Sequence, residues 1–296
     1  MKELGRLITA MVTPMKADGS VDYEQACRLA LALIDSGSDG VVIVGTTGES
    51  PTLVRPEEKR LFAEVKAAVG SRGSVIAGTG SNSTAEAISA TRDAEKSGVD
   101  ACLLVVPYYN KPTQEGLYRH FKAVADSTRL PCILYNVPSR TVTSLSAETT
   151  IRLSQVPNIV GTKEASGKLE EIARIVEGVD ESFTVWSGND ADPLPILALG
   201  GYGVISVASH IVGNQIKDMM EHFSNRELEA AAGIHRRLLP LYDALFVIAN
   251  PVPVKYALNQ LGFRAGPPRP PLYEPDEKTA ALIMDEVKKH QIDLKV

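Results

Sequence analysis

Strands and helices in strict alternation, closing as an α/β (β/α)8 barrel with a C-terminal helical extension, are what this 296-residue sequence predicts. Three observations carry the prediction. Eight short apolar runs rich in Val and Ile recur near residues 7–12, 40–44, 74–78, 101–106, 131–135, 158–162, 183–187 and 203–207. They show no polar alternation, as expected of strands buried on both faces of a parallel sheet, and each gap has room for a crossover helix. The third observation is internal repetition: SGSDGVVIV (36–44) and SGVDACLLV (97–105) align position for position, and GGYGVIS (200–206) repeats the pattern more loosely.

The first run, LITAMV, opens the sheet. In the stretch that follows, Ala26, Leu29, Ala30, Leu33 and Ile34 share one helical face, with Asp22 placed to cap its start and Gly37 its end. The repeated unit is therefore helix, glycine stop, buried strand. Eight runs of this kind favour a barrel over a doubly wound open sheet, and no GxGxxG follows the first run to support a dinucleotide-binding version of the rival. Beyond residue 224 the pattern becomes helical, in ELEAAAGIHRRLLPLYDALFVI (227–248) and EKTAALIMDEVKKH (277–290). PVPVK and the loop GPPRPPLYEPD separate them, the latter read as a rigid connector. The predicted domains are a catalytic barrel, 1–224, and an extension, 225–296.

With 44% hydrophobic residues the chain can bury a large core. A net charge of -5 and no basic stripe argue against nucleic-acid or anionic-membrane surfaces. The N-terminal stretch has neither the apolar length of a span nor a small-residue cleavage pattern, so a cytoplasmic protein is expected. Cys27, Cys102 and Cys132 form no CxxC pair and read as reduced thiols. The five histidines show no HxH or HExxH spacing, so no metal site is expected.

In a barrel the chemistry sits where strands end. Six runs deliver polar segments there: GTTGES (45–50), PYYNKP (107–112), YNVPSRT (135–141), TKEASG (162–167), SGNDAD (187–192) and ISVASH (205–210). Lys163 has the most demanding position among them. An ordinary lysine, of pKa about 10.4, is neutral in about one molecule in 2,500 at pH 7, so a nucleophilic amine needs desolvation. Such an amine attacks ketones to form a Schiff base; the plainer readings are a salt bridge to Glu164 or a lysine reaching the rim. Tyr135 ends the neighbouring run and could move protons. Thr46 and Thr47 offer hydroxyls beside glycines that allow close backbone approach, suited to a carboxylate, and Arg140 is a candidate bidentate carboxylate clamp, the plainer reading being a solvated loop arginine.

With these residues assembled, the chain resembles the dihydrodipicolinate synthase family of pyruvate-dependent class I aldolases from end to end. GTTGESPTL, VIAGTGSNSTAEAI, PYYNKPTQEGLYRHF, LYNVPSRT, GTKEASG, GGYGVISV and NPVPVKYAL all look like family segments. Related keto-acid aldolases such as N-acetylneuraminate lyase share the barrel and the lysine, but the threonine pair and Arg140 point to the synthase branch. The resemblance implies condensation of pyruvate with L-aspartate 4-semialdehyde in lysine and diaminopimelate biosynthesis. Lys163 would carry pyruvate as a covalent imine, without metal or diffusible cofactor. Thr47 and the backbone around Ile205 would hold the pyruvate carboxylate, with Gly188 also at the substrate. Tyr135 would move protons through Thr46 to Tyr109, which family members pass into a neighbouring subunit. Arg140 would receive the semialdehyde carboxylate, and a homotetramer built as a dimer of dimers is implied. Ser50, Asn82, Glu86 and Tyr108 match an allosteric lysine pocket of sensitive relatives. Arg55 and Glu58 replace residues that are histidines in many of them, so weak or no lysine inhibition is expected. Glu86 also reads as the end of a capping box begun by Ser83. The competing readings are a keto-sugar acid lyase and a ligand-binding sensor without turnover.

Overall fold

The computed structural model describes residues 4–295. Eight parallel strands, β1 (Leu7–Ala10), β2 (Gly40–Ile43), β3 (Ser74–Gly78), β4 (Ala101–Val105), β5 (Cys132–Asn136), β6 (Ile159–Glu164), β7 (Thr184–Ser187) and β8 (Gly203–Ser206), close into a barrel in chain order. Each coincides with one of the eight apolar runs. β1, β2, β5 and β8 are buried at every residue, as strands covered on both faces must be.

The helices between the strands are α1 (Tyr23–Asp35), α2 (Arg55–Val69), α3 (Thr84–Lys96), α4 (Gln114–Ala125), α5 (Pro138–Thr141), α6 (Ala147–Ser154), α7 (Leu169–Gly178) and α8 (Pro193–Ala198). After β8 come α9 (Ser209–Ser224), α10 (Leu228–Leu245), α11 (Val252–Gln260) and α12 (Glu277–Val287). The starts follow local chemistry. Asp22, Ser83, Thr113, Ser146 and Asp276 each accept a first-turn amide at their helix N-cap, an interaction that contributes about 1 kcal/mol. α1 buries Ala26, Leu29, Ala30 and Leu33 as its periodicity requires, and Gly37 beyond its end adopts φ +106. α2 starts differently: Val54 has no side-chain acceptor, so only Glu57 Oε2 acts, taking the Val54 N–H at 3.0 Å.

Two sequence readings need amendment. PVPVK is not a separator; it opens α11, with proline at the helix start, where no amide donor is needed. The Ser83 capping box is half formed. Ser83 Oγ accepts the Glu86 N–H, but Glu86 Oε2 takes a hydrogen bond from Ser81 Oγ, and Ser81 Oγ in turn accepts the Ser83 N–H.

The chain divides into two compact units: one up to Val75 together with the chain from Ser206 onward, the other Ile76–Ile205. In the first, α10 packs on α9 and α12, and α11 on both α9 and α12. His210 pins the segment that follows β1 here: its Nδ1 donates to the Val207 carbonyl at 2.8 Å while Nε2 accepts the Val12 N–H at 3.2 Å. Burial holds this imidazole neutral, with its pKa down at about 4. In the second unit, β4 to β7 align Val105, Tyr135, Lys163 and Trp186 as successive register partners. That row positions the chemistry.

Candidate active site

β6 continues two residues beyond its apolar run, through Lys163 and Glu164. Lys163 is 4% exposed, and its Nζ lies 4.4 Å from the centre of the Tyr135 ring on the adjacent strand. Burial is the first cause of its pKa falling from an ordinary 10.5 to about 8. The negative charge of Asp190 opposes the fall, and the Arg140 guanidinium adds to it. The amine therefore loses its proton within about a unit of neutral pH, so the form that a carbonyl nucleophile requires is populated there.

Glu164 does not pair with it. Successive strand residues face opposite ways, and the Glu164 carboxylate accepts from Asn136 Nδ2 at 3.0 Å and Ser166 Oγ at 2.8 Å. Burial raises this carboxyl to a pKa of about 7 despite those donors. Asn136 also accepts the Leu145 N–H at 2.9 Å, so the back of the strand is tied to the loop before α6. Neither the salt bridge nor the rim-seeking lysine describes this side chain.

Gly188, in the turn after β7, makes room for the lysine stem. A Cβ there would stand 3.1 Å from Lys163 Cε, 2.7 Å from Ala165 Cβ and 3.1 Å from the Glu164 carbonyl. The Gly188 N–H donates to that carbonyl at 2.5 Å. Trp186 stacks edge-on against Tyr202 with ring centres 5.9 Å apart, which fixes the wall beside Lys163 in the register row.

The structure thus brings together Lys163, Tyr135 and Gly188, with the charges of Arg140 and Asp190 acting on the amine. Ile205, on β8, is fully buried. Tyr109 stands apart: it is 88% exposed and held at φ 72, a conformation that costs a bulky residue energy. The turn carrying it is braced where Asn110 Nδ2 donates to the Asn82 carbonyl at 2.8 Å and the Asn110 N–H donates to the Tyr108 carbonyl at 2.9 Å. The carbonyls of Asn82 and Tyr108 thus share Asn110 as a donor, while Glu86 is engaged by Ser81. Arg55 and Glu58 form an ion pair at 2.7 Å on the first turn of α2.

Thr46, Thr47 and Ser50 belong to the other unit, in the loop after β2. Thr47 is 4% exposed and its Oγ1 accepts from Asn250 Nδ2 at 2.9 Å. Glu49, at φ 58, is paired at 2.7 Å with Lys255, both side chains being 1% exposed. Sequence reasoning passed over Asp190, Asn250 and Lys255, although SGNDAD and NPVPVKYAL were both prominent; the acidic run after β7 was the available signal for Asp190. Among the described residues no cluster of three or more His, Cys, Asp or Glu could hold a metal ion, and no helix is long and apolar enough to cross a membrane.

A lysine kept dry on a strand of a parallel barrel can serve as the nucleophile of carbonyl chemistry, and this protein is a lyase of the class I aldolase type. The chain belongs to the Dihydrodipicolinate synthetase family, whose model matches residues 3–290. It is 68% identical over 296 residues, the whole of both chains, to the 4-hydroxy-tetrahydrodipicolinate synthase of Dehalococcoides mccartyi strain CBDB1. The enzyme of that name from Moorella thermoacetica is 53% identical across 95% of this chain and 98% of its own. Among solved structures, a dihydrodipicolinate synthase from Bacillus anthracis superposes with a TM-score of 0.96 at 43% identity, covering 98% of this chain and 99% of that one. One from Cyanidioschyzon merolae with lysine bound gives 0.95 at 49% identity, over 96% and 97% of the two chains.

Proposed function

We propose that this chain is a 4-hydroxy-tetrahydrodipicolinate synthase, condensing pyruvate with L-aspartate 4-semialdehyde in the cytoplasm. The observation that carries the reading is the Lys163 amine, 4% exposed, with its pKa lowered to about 8, beside the Tyr135 ring. In this mechanism the Lys163 nitrogen attacks the pyruvate ketone carbon, a proton passes to the former carbonyl oxygen, and water leaves to give an iminium. The positive nitrogen makes the methyl group acidic; loss of one methyl proton gives an enamine, whose carbon attacks the semialdehyde carbonyl. The semialdehyde's own amine then closes the ring on the imine carbon and releases Lys163. No metal or diffusible cofactor enters.

Tyr135 transfers the protons, through Thr46 and Tyr109 in the relay implied by the family. Thr47 and the backbone at Ile205 receive the pyruvate carboxylate, Gly188 gives the substrate room, and Arg140 takes the semialdehyde carboxylate. The exposed, conformationally costly Tyr109 fits a residue delivered to a partner subunit, and we assign a homotetramer of paired dimers. Residues 1–224 form the catalytic barrel and 225–296 its helical extension. Because Arg55 and Glu58 are engaged with each other, Ser50, Asn82, Glu86 and Tyr108 are assigned to a weakened lysine site, and full inhibition by millimolar lysine would contradict that assignment.

The test is to incubate the protein with pyruvate and borohydride, map the modified peptide, and assay untreated protein with aspartate semialdehyde. Reduced pyruvate should attach to Lys163 and disappear in Lys163→Ala, while Arg140→Ala should impair semialdehyde use far more than pyruvate capture. Turnover only of a keto-sugar acid would transfer the assignment to a related lyase. Pyruvate binding without an adduct would indicate a sensor.

A further inference from the structure

The loop after β2 is held by residues that follow the last strand. Glu49 Oε1 pairs with Lys255 Nζ, which also donates to the carbonyls of Thr13 at 3.0 Å and Pro267 at 2.9 Å, so all three ammonium hydrogens are used. Glu49 Oε2 accepts the Arg269 N–H at 2.7 Å. The Arg269 side chain spans the Gly19 and Thr52 carbonyls and grips both oxygens of Glu57. Thr13 Oγ1 donates to the Gly48 carbonyl at 2.7 Å. These contacts account for the Gly48 and Thr52 carbonyls and for both oxygens of the Glu49 carboxylate.

They do not account for Asn250. This residue, 6% exposed, immediately precedes the segment that carries Lys255, and its Nδ2 donates to Thr47 Oγ1. A hydroxyl that accepts from an amide keeps its single hydrogen for another acceptor. Among the described residues the Thr47 hydrogen has no acceptor. A buried hydroxyl fixed as a donor, in a loop with glycine on either side of its threonine pair, suits a group that can only accept, such as a carboxylate.

We propose that Asn250 is a positioning residue of the reaction: by donating to Thr47 it turns that hydroxyl's hydrogen toward the carboxylate of the 2-oxo acid, while the Lys255–Glu49 pair keeps the two segments in register. The inference rests on the synthase reading above and adds a residue through which Thr47 acts.

The experiment measures pyruvate KM and kcat, with borohydride trapping on Lys163, in Asn250→Ala, Asn250→Asp, Thr47→Val, Thr47→Ser and the double variant Asn250→Ala/Thr47→Val. Asn250→Ala should raise the pyruvate KM about tenfold, or ~1.4 kcal/mol, and leave kcat within about twofold. Asn250→Asp, which turns an acceptor to Thr47, should raise it at least as much, and Thr47→Ser should stay near wild type. In the Thr47→Val background the Asn250→Ala change should add less than about twofold, since there is no hydroxyl left to orient. Unchanged KM in Asn250→Ala, or losses that simply add in the double variant, overturn the proposal, as does a loss confined to kcat. Should Asn250→Ala not fold, Asn250→Asp and Thr47→Val decide alone: unchanged KM in either overturns it. If wild type captures pyruvate and these variants do not respond, this inference alone falls; if wild type forms no adduct on Lys163, the synthase reading falls and takes it along.

Discussion

Removing the charge of Arg140 or of Asp190 should move the reactivity of Lys163 in opposite directions. With a pKa of about 8 the amine is neutral in roughly one molecule in ten at pH 7; at the ordinary 10.5 the fraction is roughly one in 3,000. Burial and the two charged neighbours together therefore supply about a 300-fold advantage in the reactive form, roughly 3 kcal/mol, with burial the largest of the three causes. Arg140 disfavours the ammonium and Asp190 favours it, so Arg140→Met raises the amine pKa and Asp190→Asn lowers it. The assay is the rate of borohydride-trapped pyruvate adduct at subsaturating pyruvate, measured from pH 6 to 10 and read out by mass. Wild type should show a midpoint near 8, Arg140→Met a higher one and Asn at 190 a lower one. A wild-type midpoint near 10, or both variants shifting the same way, would refute the account of the amine.

Three further outcomes follow from the packing. Gly188→Ala forces a methyl against Ala165, the Glu164 carbonyl and the Lys163 stem, so it should cost ~1–3 kcal/mol in urea denaturation and slow adduct formation more than tenfold; normal trapping would show that the stem yields freely. Lys255→Met leaves Glu49 buried without its cation and should destabilise by about 3–5 kcal/mol, whereas Lys255→Met with Glu49→Gln should recover most of that loss in thermal melts. For His210 the folded pKa of about 4 lies below the ordinary 6.5, so the unfolded chain binds the extra proton in that window. Its contribution is fully present above pH 6.5 and is lost as pH falls toward 4, by roughly 3 kcal/mol in all. His210→Gln should flatten that part of the acid unfolding curve, and an unchanged slope would contradict the assignment.

The strands were legible because a parallel sheet buried on both faces leaves uninterrupted Val and Ile runs, and all eight stood out. Where polar residues are buried, the same reading stops short. The sixth run ends at Thr162 by composition, yet β6 carries Lys163 and Glu164 two residues further because each finds its own buried environment. Tyr109 was legible as a residue type, but its φ of 72 was not, since tyrosine has no local preference for that region. Lys163 stood out because an amine followed an apolar run. Lys255 did not: a lysine among prolines reads as a connector, and the carboxylate that explains its burial lies 206 positions away. Asn250 was hidden for the same reason, its partner being 203 positions distant. Contacts of this span leave no periodicity to read.

That separation also orders events during synthesis. A ribosome that has completed residue 224 has made every β-strand, including the one bearing the reactive amine, but none of Asn250, Lys255 and Arg269. Closing so long a loop comes late in folding. The growing polypeptide therefore carries Glu49 without its countercharge until translation has passed Lys255 and Arg269, and the threonine loop gains its braces only after all eight strands have been made.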